Sequence, residues 1–175
     1  FGCDGYRVYL PNRVSDFGDE RDVVSYRVRT AISCGYVEFG SFDLVEMGAE
    51  MQDSDTHPLE RLAQSYALPF AAKTLFELFE RVRVTSLLVA KYPGLKRDVT
   101  LWKAGYLLGG NGPDEPSNEV DKVLVGIEAL WLGGSSESAV AKEWFLEAET
   151  RLTGAESVGA TLALFQEKAG ALMEM

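Results

Sequence analysis

His57, Cys3 and Cys34 carry all the imidazole and thiol chemistry in this chain of 175 residues. A zinc centre takes three or four nitrogen, sulfur or oxygen ligands, usually with two in a close pair. A Ser-His-Asp arrangement would have to be built around His57, which precedes Pro58 in an acidic stretch and reads as a surface residue. Two cysteines are too few for a disulfide framework. A Cys3–Cys34 bridge is the one pairing open, and free thiols in a reducing cytosol are the simpler reading. Glu77 and Glu80 stand three apart on one predicted helix face, with Asp98 as a further carboxylate. That spacing suits acid/base work, but Arg81 and Arg83 beside them predict solvated ion pairs. Asp53-Ser54-Asp55-Thr56 lacks the glycine and terminal glutamate of a calcium loop. Gly109-Gly110-Asn111-Gly112 has the composition of a phosphate loop, yet Pro113-Asp114-Glu115 follows where Lys and Ser or Thr are needed. A flexible interhelix loop is predicted there. Met47, Met51, Met173 and Met175 form no stripe. Trp102, Trp131 and Trp144 fall on separate predicted helices, as core or interface aromatics.

The segment Tyr36-Val37-Glu38-Phe39-Gly40-Ser41-Phe42 is richer, because it sets several rings around one carboxylate. It is expected to be a strand or extended arm forming a buried corner, with Glu38 salt-bridged to Arg83 or Arg97. Tyr36, Glu38, Phe39 and Phe42, with the two arginines, are the structural and interaction candidates. No catalytic, cofactor or metal residue is nominated.

The elements that must position these residues are mostly helices. Tyr6, Val8 and Leu10 alternate with Arg7 and Tyr9, the period of a half-buried strand, and Pro11-Asn12 ends it. Helical spacing runs from about Glu20 to Cys34, with Asp19 as its cap and Gly35 as its left-handed stop. Asp43 to Pro58 reads as a loop or weak helix. Leu68 to Lys91 is the strongest helix. Phe70, Thr74, Leu78, Arg81 and Leu88 cover one sector and Leu75, Phe79, Val82 and Ser86 the next, a stripe wide enough for burial on more than one side. Tyr92-Pro93-Gly94 breaks it. Further helices are predicted over Asp98 to Leu108, Pro116 to Leu132 (capped by Ser117 or Asn118), Ser138 to Leu152 and Ser157 to Met173. The fold class is therefore mainly α, six or so helices with a small β element near the N-terminus. Residues 1–175 read as a single helical domain with a sub-boundary at 109–116.

Composition narrows the partners. The formal net charge is −10 and the pI is near 4.6, a poor match for the phosphate backbone of nucleic acid or an anionic membrane surface. No stretch reaches the roughly 18 apolar residues of a membrane helix. No signal peptide is visible. The start at Phe1 reads as a fragment of a longer protein.

Four stretches carry a resemblance to one known family. D-G-Y-R-V-Y-L-P (Asp4 to Pro11) resembles its opening D-G-x-x-[IV]-Y-L-P. Tyr26 to Phe42 resembles its Tyr, Ala and G-x-[IV]-E-F-G-[ST]-F core. Phe76 to Asp98 resembles its L-F-x-x-x-E-D-x-R-V-D…YPGL pattern. Thr153 to Phe165 is similar to its P-G-A-T-V-x-D-S-x-x-x-[TA]-L-x-L-Y stretch. The family these stretches resemble is that of the CbbO and NorD proteins, partners of MoxR-type AAA+ ATPases.

The resemblance implies the middle region of a bacterial, cytoplasmic protein. The parent would bear a von Willebrand factor A domain, whose divalent-metal site lies outside this chain. It implies an adaptor that works with a hexameric MoxR-type ATPase, where the ATP is bound and hydrolysed. The client would be Rubisco, freed of inhibitory sugar phosphates, or nitric oxide reductase, matured by the NorD type. A purely structural helical interaction domain is the remaining alternative. Two departures stand out: Ile32 occupies the place of a histidine, and Glu80-Arg81-Val82-Arg83-Val84-Thr85 replaces E-D-x-R-x-D. A histidine helix followed by an acidic helix implies a degenerate, zincin-like layout whose ligands are lost here.

Overall fold

A computed structural model describes residues 1–3, 7–44, 58–108 and 116–175. His57, Met47, Met51, the stretch Asp53 to Thr56 and the Gly109 to Pro113 break lie outside the described residues. The described chain is mainly helical. A two-stranded antiparallel ladder pairs β1 (Gly2–Cys3) with β2 (Val8–Tyr9), in the register Gly2 to Tyr9 and Cys3 to Val8. It lies against α1 (Arg21–Glu38). There follow α2 (Pro58–Gln64), α3 (Pro69–Lys91), α4 (Leu95–Leu108), α5 (Glu119–Leu132), α6 (Ala139–Leu152) and α7 (Val158–Met173).

The wide apolar stripe on α3 has the consequence expected of it. Each of the other six helices packs against α3. Leu75, Phe79, Val84 and Leu88 are sealed in the core. Phe70 departs from the expected sector: in the first turn of α3, it is 82% exposed. On the opposite flank, Phe165 of α7 meets Phe76 and Tyr66 edge-on, at 5.7 and 5.3 Å between centroids. α2 is a helix the sequence reading left out. Its seven residues are too short for periodicity to announce, and Ala63, Leu59 and Leu62 hold it against the core.

The cap predicted for α5 is present, and the serines at the predicted starts of α6 and α7 cap those helices as well. Asn118 accepts from the Asp121 amide at 2.8 Å, Ser138 from Ala141 at 3.1 Å and Ser157 from Gly159 at 3.0 Å. These side chains satisfy amides that the first helical turn leaves without partners.

The end of α1 corrects two expectations. Gly35 does not stop the helix but lies within it. A Cβ there would stand 2.8 Å from Val84 Cγ1 and 2.9 Å from Leu88 Cδ1, so Gly35 lets α1 cross close to α3. The stop is Gly40, at φ +64°. The Ser41 amide donates to the Tyr36 carbonyl at 2.9 Å and the Gly40 amide to Val37 at 3.3 Å, the paired bonds of a Schellman cap. Tyr36 to Glu38 is thus the last turn of a helix rather than a strand or extended arm. At the other end, Glu20 takes the cap position without a side-chain bond, while Asp19 accepts from the Arg21 amide at 2.9 Å.

The N-terminal segment is tied down by Asp16. Its carboxylate accepts from Ser25, from Arg29 at 3.1 Å and from Tyr106 at 3.1 Å. Ser25 in turn accepts from the Trp102 indole at 3.1 Å. Trp102, Trp131 and Trp144 are all buried, as core aromatics. Cys34 is exposed and carries a free thiol, so the free-thiol reading holds for it. No described helix is long and apolar enough to cross a membrane.

Candidate functional site

The Schellman cap sets three consecutive residues to different uses. Phe39, at the C-cap, turns its ring toward the core and leaves its carbonyl free of the helix ladder. Gly40 reverses the chain. Ser41 is then buried beside α3, where its hydroxyl donates to Glu80.

What waits at that point in α3 is a buried ion pair. Glu80 is 2% exposed and Arg83 fully buried. The Arg83 Nε donates to Glu80 Oε2 at 2.9 Å, and one of its terminal nitrogens donates to Oε1. That nitrogen also donates to the Phe39 carbonyl at 2.9 Å. The other reaches the Glu156 carbonyl at 3.1 Å, with Ala155 at 3.4 Å. Glu80 Oε2 accepts a further bond from Thr161 Oγ1 at 2.6 Å. The α1 cap, the middle of α3, the α6–α7 connection and the first turn of α7 therefore converge on one guanidinium and one carboxylate. A charge without water requires this degree of saturation, because each lone pair or N–H left without a partner costs free energy. Solvated ion pairs were expected for this stretch. The burial of α3 on every side overturns that for Glu80 and Arg83.

Glu38 behaves otherwise. It ends α1 at the surface and accepts from Lys91 Nζ at 2.5 Å and from the Tyr92 hydroxyl at 2.8 Å. The Lys91 bond, helped by Tyr92, holds the Glu38 carboxyl below its ordinary range. Neither Arg83 nor Arg97 is its partner. Arg83 is committed to Glu80 two turns earlier on α3, and Lys91, at the end of that helix, lies within reach. Arg97 is exposed on α4 and joins no ion pair of the corner among the described residues. Of the six candidates, then, Phe39 and Arg83 meet directly and Glu38 lies at their edge. Lys91 adds a cation 5.8 Å from the Phe39 ring centroid.

Tyr36 and Phe42 face cavities. Phe42 lines one of about 420 Å³ with Ser41, Leu44, Phe76 and Glu77. Burial raises the Glu77 carboxyl above its usual pKa, opposed by Lys73 and Arg81. Tyr36 and Arg81 border this cavity and also a larger one of about 620 Å³ between α1, α3, α4 and α5. Burial raises the Tyr36 phenol and the adjacent Arg81 guanidinium pulls it part of the way back. Arg81 itself pairs with Glu128 at 2.9 Å.

The sequence reading missed Glu80, Ser41 and Thr161 as members of one network. The signal for Glu80 was present: an acid and a base at i and i+3 inside a helix whose neighbours Phe79, Val82 and Val84 leave no polar face. Nothing in one sequence announces that Ser41 and Thr161 join them, since they lie 39 and 81 residues from Glu80.

No family model, no curated protein and no solved structure matches the chain.

Proposed function

We propose that this chain is a non-catalytic adaptor domain of an AAA+ ATPase-driven remodelling complex. It works in the bacterial cytoplasm beside a MoxR-type hexamer that binds and hydrolyses the ATP. Rubisco is the client, released from inhibitory sugar phosphates. The observation that carries this reading is spatial. Tyr26 to Phe42, Phe76 to Asp98 and Thr153 to Phe165 are the stretches that resemble CbbO and NorD proteins. Each sends atoms to the Glu80–Arg83 pair: the Phe39 carbonyl and Ser41 hydroxyl, the pair itself, and the Glu156 carbonyl with Thr161. The three stretches thus form one structural unit, as a resemblance that extends over the fold requires.

A second observation favours a role without catalysis. Ile32 and Arg81 occupy the places of a histidine and an aspartate in the resemblance, and both line the 620 Å³ cavity. An alkyl chain and an ion-paired guanidinium do not fit a divalent metal, which takes neutral nitrogen and anionic ligands. Ile32 and Arg81 therefore offer a divalent ion no ligand at these two places.

Affinity capture with this chain from its native lysate, read by mass spectrometry, tests the reading. Recovery of a MoxR-type ATPase together with Rubisco is the expected result. Nitric oxide reductase beside the ATPase would move the client to the NorD type. Failure to recover any such ATPase, with this chain and with the full-length parent, would overturn the adaptor role and leave a structural helical domain.

A further inference from the structure

The 620 Å³ cavity lies between α1, the start of α3, α4 and α5. That volume is in the range of small-molecule sites, whose walls are mostly aromatic with a few inward polar groups. Trp102, Trp131 and Tyr106 supply rings here. Trp102 stands edge-on to the other two, at 5.7 and 5.0 Å between centroids.

The charges on the wall are already matched. Arg29 pairs with Asp16 at 3.1 Å, and Arg81 with Glu128 at 2.9 Å. Asp121 sits in the first turn of α5, where its Oδ2 accepts from Ser117 and Asn118 and the helix dipole favours an anion. A ligand with a full charge would bring an unmatched ion into a half-enclosed site, where desolvation outweighs what pairing returns. Spare hydrogen-bonding capacity is of both kinds. The Ser33 hydroxyl lines the cavity and forms no hydrogen bond among the described residues, and Glu128 is engaged there only through Oε1.

We propose that this cavity binds a net-neutral, planar aromatic molecule bearing an amide-type group. Its N–H donates to Glu128, its C=O accepts from Ser33 or Arg81, and its ring lies among Trp102, Trp131 and Tyr106. The site is independent of the adaptor reading and stands or falls apart from it.

Benzamide, benzoate and benzamidine share one ring and nearly one shape but carry no charge, a negative charge and a positive charge. Titrating each into the ¹⁵N-labelled chain and following the indole N–H signals tests the proposal. Benzamide moves the Trp102 and Trp131 signals and leaves that of Trp144, which sits in α6 away from the cavity. The two charged analogues bind about tenfold more weakly, the scale of one mismatched group in a pocket. Glu128→Gln leaves Arg81 without its anion and raises benzoate above benzamidine. Arg81→Met does the reverse. The Trp144 signal and the melting curve report whether each variant is folded, and either variant alone suffices for the test. Benzamide leaving Trp102 and Trp131 unmoved, equal binding of all three compounds, or an order of charges unchanged in a folded variant would each overturn it.

Discussion

Glu80 and Glu38 each hold a cation beside the same helix cap, yet only one of them is inside the protein. The Glu80 side chain is 3% exposed and its partner Arg83 fully buried, whereas Glu38 is 30% and Lys91 55% exposed. Around Glu80, each carboxylate oxygen accepts two bonds and the guanidinium is shared among three backbone carbonyls. Around Glu38, water can replace any partner that leaves. The same pair of charges is thus a joint between four parts of the chain in one place and a surface ornament in the other. The difference comes from burial, because removing one member of a buried pair strands the other, while a solvated partner simply rehydrates.

Variants sharpen that contrast. Glu80→Ala or Arg83→Ala should destabilise the fold by about 3–5 kcal/mol, the cost of an uncompensated buried charge, as read from denaturant midpoints at constant m. Gly35→Ala comes next. It forces a methyl against Val84 and Leu88 at the α1–α3 crossing, and overpacking of that kind costs roughly 1–3 kcal/mol. Melting temperature against the wild type checks it, and an unchanged value would mean the crossing is looser than the 2.8 Å approach indicates.

A smaller effect is expected at Lys103, which depends on pH. Its amine lies 4.1 Å over the Trp131 ring and donates to the Trp131 carbonyl at 2.5 Å. Burial pushes its pKa down to about 8, with Glu149 resisting. Between about pH 8 and the ordinary lysine value, the folded chain has lost this proton and the unfolded chain keeps it. Unfolding then takes up a proton, so this group's contribution rises with pH across that window and is lost as pH falls through about 8. Melting curves of the wild type and of Lys103→Met should diverge over that range, and parallel curves would contradict the assignment. Smallest of all, Glu38→Ala and Arg97→Ala should leave stability within the scatter of surface substitutions. A large loss at Glu38 would erase the distinction between the two carboxylates.

The residues explain which features could be read from the sequence. Asn118 was legible as one of two candidate caps, and Ser138 and Ser157 as helix starts, because capping is a local bond within three residues. α3 was legible because its apolar stripe runs over six turns. Gly35 misled for a physical reason: a glycine can end a helix or let another helix approach, and only the partner, Val84 and Leu88 of α3, decides. Gly40 then took the role expected of Gly35, which turned an expected strand into a helix end. At the candidate site, Arg83 or Arg97 was expected to pair with Glu38, whereas the anion that Arg83 holds is Glu80 and not Glu38. Both are acids at plausible distances along the chain. The choice of Glu80 depends on which side of α3 is covered, and that is settled by α7 and the α1 cap together. The i, i+3 spacing of Glu80 and Arg83 in an apolar stretch is the one local trace of that choice, and the parts played by Ser41 and Thr161 leave none.

The most direct measurement is a pair of double-mutant cycles, Glu80 with Arg83 and Glu38 with Lys91, followed by denaturant unfolding. For Glu80 and Arg83 we expect each single variant to be costly and the double variant far less so than the sum. The coupling should lie toward the upper end of the roughly 0.5–3 kcal/mol seen for residues in one network. For Glu38 and Lys91 we expect coupling indistinguishable from zero. Equal couplings in the two cycles, or additive effects at Glu80 and Arg83, would contradict the claim that one buried pair joins the separate stretches of this chain.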